Sequence, residues 1–214
     1  MNSDSRLVFT LLYYLSDYLA GIAGPFRLLS SYIFLAGLGT ALGAIVTWWM
    51  LPRCWHYLPV DRGREYAIDA EKSIGKPISA GALFIPMFII ISLLVVPFDW
   101  KFLEILLCVT TAMIVGYLDD RAQDGWSEYT LGAIDLVLAF LASMAICQLA
   151  DFVIWLPLLK DTVTIPPFLF ILGATPLIWI SINATNCSDG VDGLSASLSA
   201  ISMLFLGGTL YVIV

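Results

Sequence analysis

Charge is scarce in this sequence. Asp, Glu, Lys and Arg make up 13% of 214 residues, whereas 60% are hydrophobic and the mean hydropathy is +0.91. So little charge cannot cover a soluble globule, which puts the chain in lipid. Basic residues are scarcer still, with 10 Lys and Arg against 17 Asp and Glu and a net charge of −7. Nucleic-acid binding relies on Lys and Arg to neutralise phosphates, so that class of partner is excluded. His56 is the single histidine, and the four cysteines (Cys54, Cys108, Cys147 and Cys187) include no C-x-x-C pair. Neither a zinc site nor a disulfide framework has its ligands here; the cysteines read as small core residues.

What the chain has instead is long apolar runs. Apolar stretches at about 28–51, 79–97, 102–118, 129–149, 166–182 and 194–214, charged only at Glu104 and Asp135, approach or exceed the ~20 residues needed to cross a bilayer. Residues 7–23 are apolar and aromatic but broken by Ser16 and Asp17, which predicts a helix lying at the interface. Trp48, Trp49 and Trp55 mark the far edge of the first span, and His56 beside Tyr57 reads as a headgroup-level side chain rather than a catalyst. Asp135 falls inside a span, where an ionisable group needs a partner or a water-filled cavity. Residues 150–165, rich in β-branched residues and holding Pro157, are expected to be extended or a hairpin. The fold class is therefore all-α: a polytopic transmembrane helix bundle of about six spans, with residues 1–214 forming a single integral membrane domain.

Counting crossings puts loops 52–78, 119–128 and 183–193 on one side. Five basic residues in the first of them (Arg53, Arg62, Arg64, Lys72 and Lys76) favour the cytoplasm. The polar stretch Asn183-Ala-Thr-Asn186-Cys-Ser-Asp189-Gly-Val-Asp192-Gly-Leu194 interrupts the apolar runs on that side. Asp189 and Asp192, three apart, share a face if a helix continues through them, and Gly190 lets a ligand approach the backbone. Lys72, the Asp119-Asp120 pair and this stretch are thus expected to converge. Carboxylates are hard oxygen ligands suited to Mg²⁺, and a lysine supplies a point charge for phosphate, a combination that fits phosphoryl transfer onto a lipid phosphate.

Three motifs sharpen this reading. Asn186-Cys-Ser-Asp-Gly-Val-Asp-Gly-Leu194 looks like N-L-T-D-G-L-D-G-L, and Gly116-Tyr-Leu-Asp-Asp120 is similar to G-F-x-D-D. Lys72-Ser-Ile-Gly-Lys-Pro-Ile-Ser-Ala-Gly81 resembles K-x-G-T-P-T-M-G-G with an added residue or a shifted glycine. By these motifs the sequence resembles the polyprenyl-phosphate N-acetylhexosamine-1-phosphate transferase family, most closely its branch acting on UDP-N-acetylmuramoyl-pentapeptide. The resemblance implies attack by undecaprenyl phosphate on that donor, release of UMP and formation of the first lipid-linked peptidoglycan intermediate. It implies Asp119 and Asp120 as the catalytic pair or Mg²⁺ ligands and Lys72 as a nucleotide contact. Gly190, Val191 and Asp192 would form the uracil pocket, with Asn186 and Asp189 ordering the site. It also implies a multi-pass protein of the bacterial cytoplasmic membrane, a homodimer, and about ten helices. These residues are accordingly expected to be an N-terminal portion, completed by further helices and another metal ligand.

Departures from the pattern fall at Lys76, Ile78, Ser79 and Ala80, where the family carries Thr, Thr, Met and Gly. Two other functions remain open at this stage. One is a sister transferase moving N-acetylglucosamine-1-phosphate from its UDP-sugar, and the other is a membrane ion carrier using Asp135 and the loop carboxylates.

Overall fold

The computed structural model describes residues 11–61, 74–122, 125–156, 160–188 and 193–213. They are mostly helical and divide into two compact units, Met1–Trp126 and Ser127–Val214.

In the first unit α1 (Leu11–Ala20) leads through a 3-10 turn at Gly24–Ser30, opened by Pro25, into α2 (Tyr32–Cys54). Helix α3 (Gly81–Val95) and helix α4 (Trp100–Arg121) follow. Val96 is extended and Pro97 follows it, which ends α3 after 15 residues, shorter than the apolar run in which it lies. The three longer helices pack as antiparallel neighbours in sequence order. A Cβ on Gly39, near the start of α2, would lie 2.9 Å from Cγ2 of Val95 at the end of α3. Glycine is what lets these two backbones approach. Next to this contact, Gly39, Gly43, Thr47, Phe84, Phe88 and Ile91 line an apolar groove of about 250 Å³. Between α2 and α3 the chain passes through a 3-10 turn at Trp55–Tyr57 and folds back on itself. Val60 bridges Pro77, the Asp61 N–H donates to the Lys76 carbonyl at 2.8 Å, and the Gly75 N–H donates to the Asp61 carbonyl at 2.8 Å.

The second unit is built on α5 (Glu128–Cys147) and α6 (Pro167–Ser188), joined by the antiparallel hairpin β1 (Phe152–Leu156) and β2 (Asp161–Ile165). Its register pairs Phe152 with Ile165 and Leu156 with Asp161, so of the extended and hairpin forms expected here the paired strands are a hairpin. Phe152 stacks against Phe170 at 4.6 Å, tying the hairpin to α6. Ser127 caps α5, its hydroxyl accepting from the Thr130 N–H at 3.2 Å. The face of α5 turned to α6 carries Gly132, Ala139 and Ser143, of which Ala139 and Ser143 are fully buried. Ser143 has one proton and gives it to the Phe140 carbonyl, so it accepts from the Thr175 hydroxyl at 2.9 Å. The Trp179 indole N–H donates to the Gly132 carbonyl at 2.8 Å across the same interface. Trp179→Phe keeps an aromatic ring but loses this bond together with the five-membered half of the indole. It is expected to cost at least about 1 kcal/mol in a detergent unfolding titration, and no change would mean the bond adds nothing to the pair. Helix α7 (Leu194–Ile213) completes the unit.

Among the described residues, four helices are long and apolar enough to cross a membrane: Tyr32–Tyr57, Trp100–Arg121, Glu128–Cys147 and Pro167–Ser188. Gly81–Val95 and Leu194–Leu210 are shorter apolar helices. Large apolar side chains such as Leu172, Leu177, Leu204 and Phe205 are exposed along them, as lipid-facing surfaces require. Together these features define a polytopic helical membrane protein. Near the end of α2, Trp48, Trp49, Trp55 and Tyr57 are exposed, and the Arg53 guanidinium lies 4.5 Å from the Trp49 ring centroid. Such a belt of amphipathic rings suits the headgroup level, and the exposed His56 stacks within it on Tyr57 at 3.9 Å. The cysteines are all free, and only Cys147 is buried. Cys54 and Cys108 are half-buried and Cys187 is exposed at the end of α6, so reading all four as core residues holds for one.

Candidate active site

Asp119 and Asp120 occupy the last turn of α4, with Arg121 beside them. That is an unfavourable place for two carboxylates. The helix C-terminus carries partial negative charge worth about 0.3–1 kcal/mol against each anion, and the two repel one another. Donors from elsewhere in the unit offset this. The Trp126 backbone N–H donates to Asp119 Oδ1 at 2.6 Å, reached by a turn in which Gly125 takes φ +65. The Ser79 hydroxyl donates to Asp120 Oδ2 from the residue pair that precedes α3. Both carboxylates are half-buried, and each is held through one oxygen by a different segment of chain.

The antiparallel order of α3 and α4 makes this possible, because it sets the start of one helix beside the end of the other. Ser79 itself has φ +61, in the left-handed region that residues with a Cβ seldom occupy. Its carbonyl accepts from the Ala82 N–H at 3.0 Å, and the neighbouring Ile78 N–H is held by the Pro59 carbonyl at 2.9 Å. The backbone around the serine is thus pinned on both sides. Sequence reasoning placed Ser79 only among departures from the family motif and gave it no role. The signal available was its position in that motif, but the contact depends on a backbone angle that the sequence does not announce.

Of the other residues expected at the site, Asn186 lies in the last turn of α6 and is exposed. That helix runs six residues past the expected end of its span, so Asn183 to Ser188 are helical. The Asn183 side-chain amide donates to the Trp179 carbonyl at 2.9 Å, one turn back. Within the second unit, the Trp179–Gly132 bond sets this end of α6 beside the start of α5. Lys72, Asp189, Gly190, Val191 and Asp192 lie outside the described residues. Among the described residues no three His, Cys, Asp or Glu side chains gather as a metal cluster. The apolar groove on α2 and α3 includes none of the expected site residues.

A membrane-embedded helical protein with a tethered acid pair at the end of a long apolar helix is the class that fold and site define. Residues 102–213 match the model of glycosyl transferase family 4, and the chain belongs to that family. It is 41% identical over 198 residues to a phospho-N-acetylmuramoyl-pentapeptide-transferase of Treponema pallidum (strain Nichols), covering 91% of this chain and 54% of the relative. Proteins of the same description from Synechococcus sp. (strain RCC307) and Nostoc punctiforme are 30% and 29% identical. Those two matches cover 90% and 78% of this chain and 53% and 49% of the relatives. The chain therefore spans about half the length of these curated relatives. No solved structure matches it.

Proposed function

We propose that the protein is a phosphoglycosyl transferase that moves phospho-N-acetylmuramoyl-pentapeptide from its UDP conjugate to undecaprenyl phosphate. In this reaction a phosphate oxygen of the lipid bonds to the β-phosphorus of the nucleotide sugar, and the bond from that phosphorus to UMP breaks. UMP leaves, and the first lipid-linked intermediate of peptidoglycan remains. The observation that carries this reading is the Asp119-Asp120 pair, each residue fixed through one oxygen at the end of a helix long enough to span lipid. The relatives named for this reaction support it, as do the three motifs.

In this reading Asp119 and Asp120 take a proton from the lipid phosphate or help to place Mg²⁺. The same pair fits Mg²⁺: these are hard oxygen donors, each with one oxygen left over from its tether, and this cation is usually bound by one or two carboxylates plus substrate phosphates. When bound, the cation supplies positive charge that offsets the charge on the diphosphate. Lys72 contacts the nucleotide phosphates, Gly190, Val191 and Asp192 hold the uracil, and Asn186 and Asp189 order that region. The protein works as a homodimer in the bacterial cytoplasmic membrane, with these loops in the cytoplasm.

Membranes containing the protein, given labelled UDP-N-acetylmuramoyl-pentapeptide, undecaprenyl phosphate and Mg²⁺, are expected to move label into the lipid fraction while releasing UMP. Label taken instead from UDP-N-acetylglucosamine would reassign the substrate to the sister reaction. Ion flux independent of either nucleotide, with no UMP formed, would remove the enzyme reading altogether.

A further inference from the structure

Most serine and threonine hydroxyls in the described helices turn back onto a carbonyl three or four residues earlier. Ser30, Thr40, Thr110, Thr111, Ser181 and Thr185 all do so. Ser79 reaches 41 positions along the chain to a carboxylate of the acid pair. It does this from a φ of +61, a conformation that glycine adopts without penalty and that a serine does not. If the turn before α3 were all that mattered here, glycine would serve it better. What serine adds is the hydroxyl, and the hydroxyl is spent on Asp120. The residue also lies outside the 102–213 stretch that the family model matches.

We infer that Ser79 is a positioning residue for the transfer reaction, holding the Asp120 carboxylate in its working orientation by donating to Oδ2 and leaving Oδ1 for the reacting partner. The inference rests on the reading of Asp119 and Asp120 as the catalytic pair. A hydroxyl offers one proton, so its donation fixes which carboxylate oxygen is occupied. The Trp126 N–H does the same for Asp119 from the other side of the helix end in sequence, and the two tethers together restrict both carboxylates. Asp120 is half-buried and attached to a helix terminus, where side-chain rotation would otherwise be limited only by neighbouring packing. Orientation of this kind acts on the rate of the chemical step more than on substrate binding.

The test uses Ser79→Gly, which removes the hydroxyl while suiting the backbone. UMP release in membranes should show kcat lower by about tenfold, the lower end of what loss of a supporting hydrogen bond costs, with KM for the UDP-sugar within twofold. The thermal unfolding midpoint should stay within a few degrees, since relief of the left-handed strain and loss of the hydrogen bond act in opposite directions. Slower chemistry in a protein of nearly unchanged stability is a combination that a merely structural serine does not produce. Ser79→Asn, which tolerates the same backbone angle and brings an N–H donor, should keep at least a third of the rate. In an Asp120→Asn background, adding Ser79→Gly should change the residual rate by less than twofold. Full activity in Ser79→Gly, equal slowing in Ser79→Asn, or an undiminished effect without Asp120 would each overturn the inference while leaving the acid pair in place. Wild-type activity in Asp120→Asn would instead sink the catalytic reading beneath it, and the inference with it.

Discussion

Asp119→Asn and Asp120→Asn are each expected to lower UMP release by roughly 1,000-fold, equivalent to about 4 kcal/mol of transition-state stabilisation. The substitution is close to isosteric and keeps an acceptor oxygen, so the Trp126 N–H and the Ser79 hydroxyl retain something to donate to. What it removes is the negative charge and the capacity to take up a proton. The helix end should not suffer, because Asn relieves both the repulsion between neighbouring acids and the unfavourable meeting of an anion with a helix C-terminus. A fall in rate without a fall in the thermal unfolding midpoint is therefore the expected pattern. Rates within tenfold of the wild type in both variants would show that the pair is structural, and the proposed reaction would need other residues.

The largest stability effect is expected at Gly39. A Cβ there would sit 2.9 Å from Cγ2 of Val95, 3.6 Å from its Cγ1 and 3.7 Å from Cγ2 of Ile91, so a side chain must push α2 away from α3. Alanine in a helix gains up to about 1 kcal/mol over glycine by propensity, which partly offsets the clash. Leucine adds three further carbons beyond a Cβ that is already too close to Val95, and Gly39→Leu should cost about 3 kcal/mol, the upper end for overpacking. Shortening the obstructing side chain should help: Val95→Ala in the same protein is expected to recover at least half the loss. Unfolding titrations in detergent on the four members of this cycle decide the matter. Strict additivity within about 0.5 kcal/mol would mean that the two helices do not meet through these residues.

The sequence shows the helices because apolar runs of this length have few other homes. It also shows the acid pair, since Asp119 and Asp120 end such a run abruptly. The hairpin was legible in the β-branched residues around Val153 and Val163. The extent of α6 was not, because Asn183 and Asn186 read as the start of a loop, whereas their side chains tolerate a helix that neighbouring packing carries through to Ser188. Pro176 in the middle of α6 and Pro86 in α3 likewise break a local rule that tertiary contacts override. Least legible were the tethers. A backbone N–H such as that of Trp126 carries no side-chain signature, and Ser79 meets Asp120 only because α3 and α4 run antiparallel and the serine backbone is left-handed. Sequence patterns report which residues share an element face; they do not report which turn conformation brings two elements' ends within hydrogen-bonding distance.

The paired backbone around Val60 and Pro77 has a consequence for how this protein tolerates change. It cinches together the two ends of the segment that carries Lys72, so the cost of bringing those ends together is met by main-chain bonds that do not depend on the intervening sequence. Lengthening a segment closed in this way is cheap, about 0.6 kcal/mol for each doubling. An added residue between Lys72 and Gly75, one of the two ways the motif aligns with the family spacing, would thus be absorbed within the closed segment without dragging Ser79 out of register with the acid it holds.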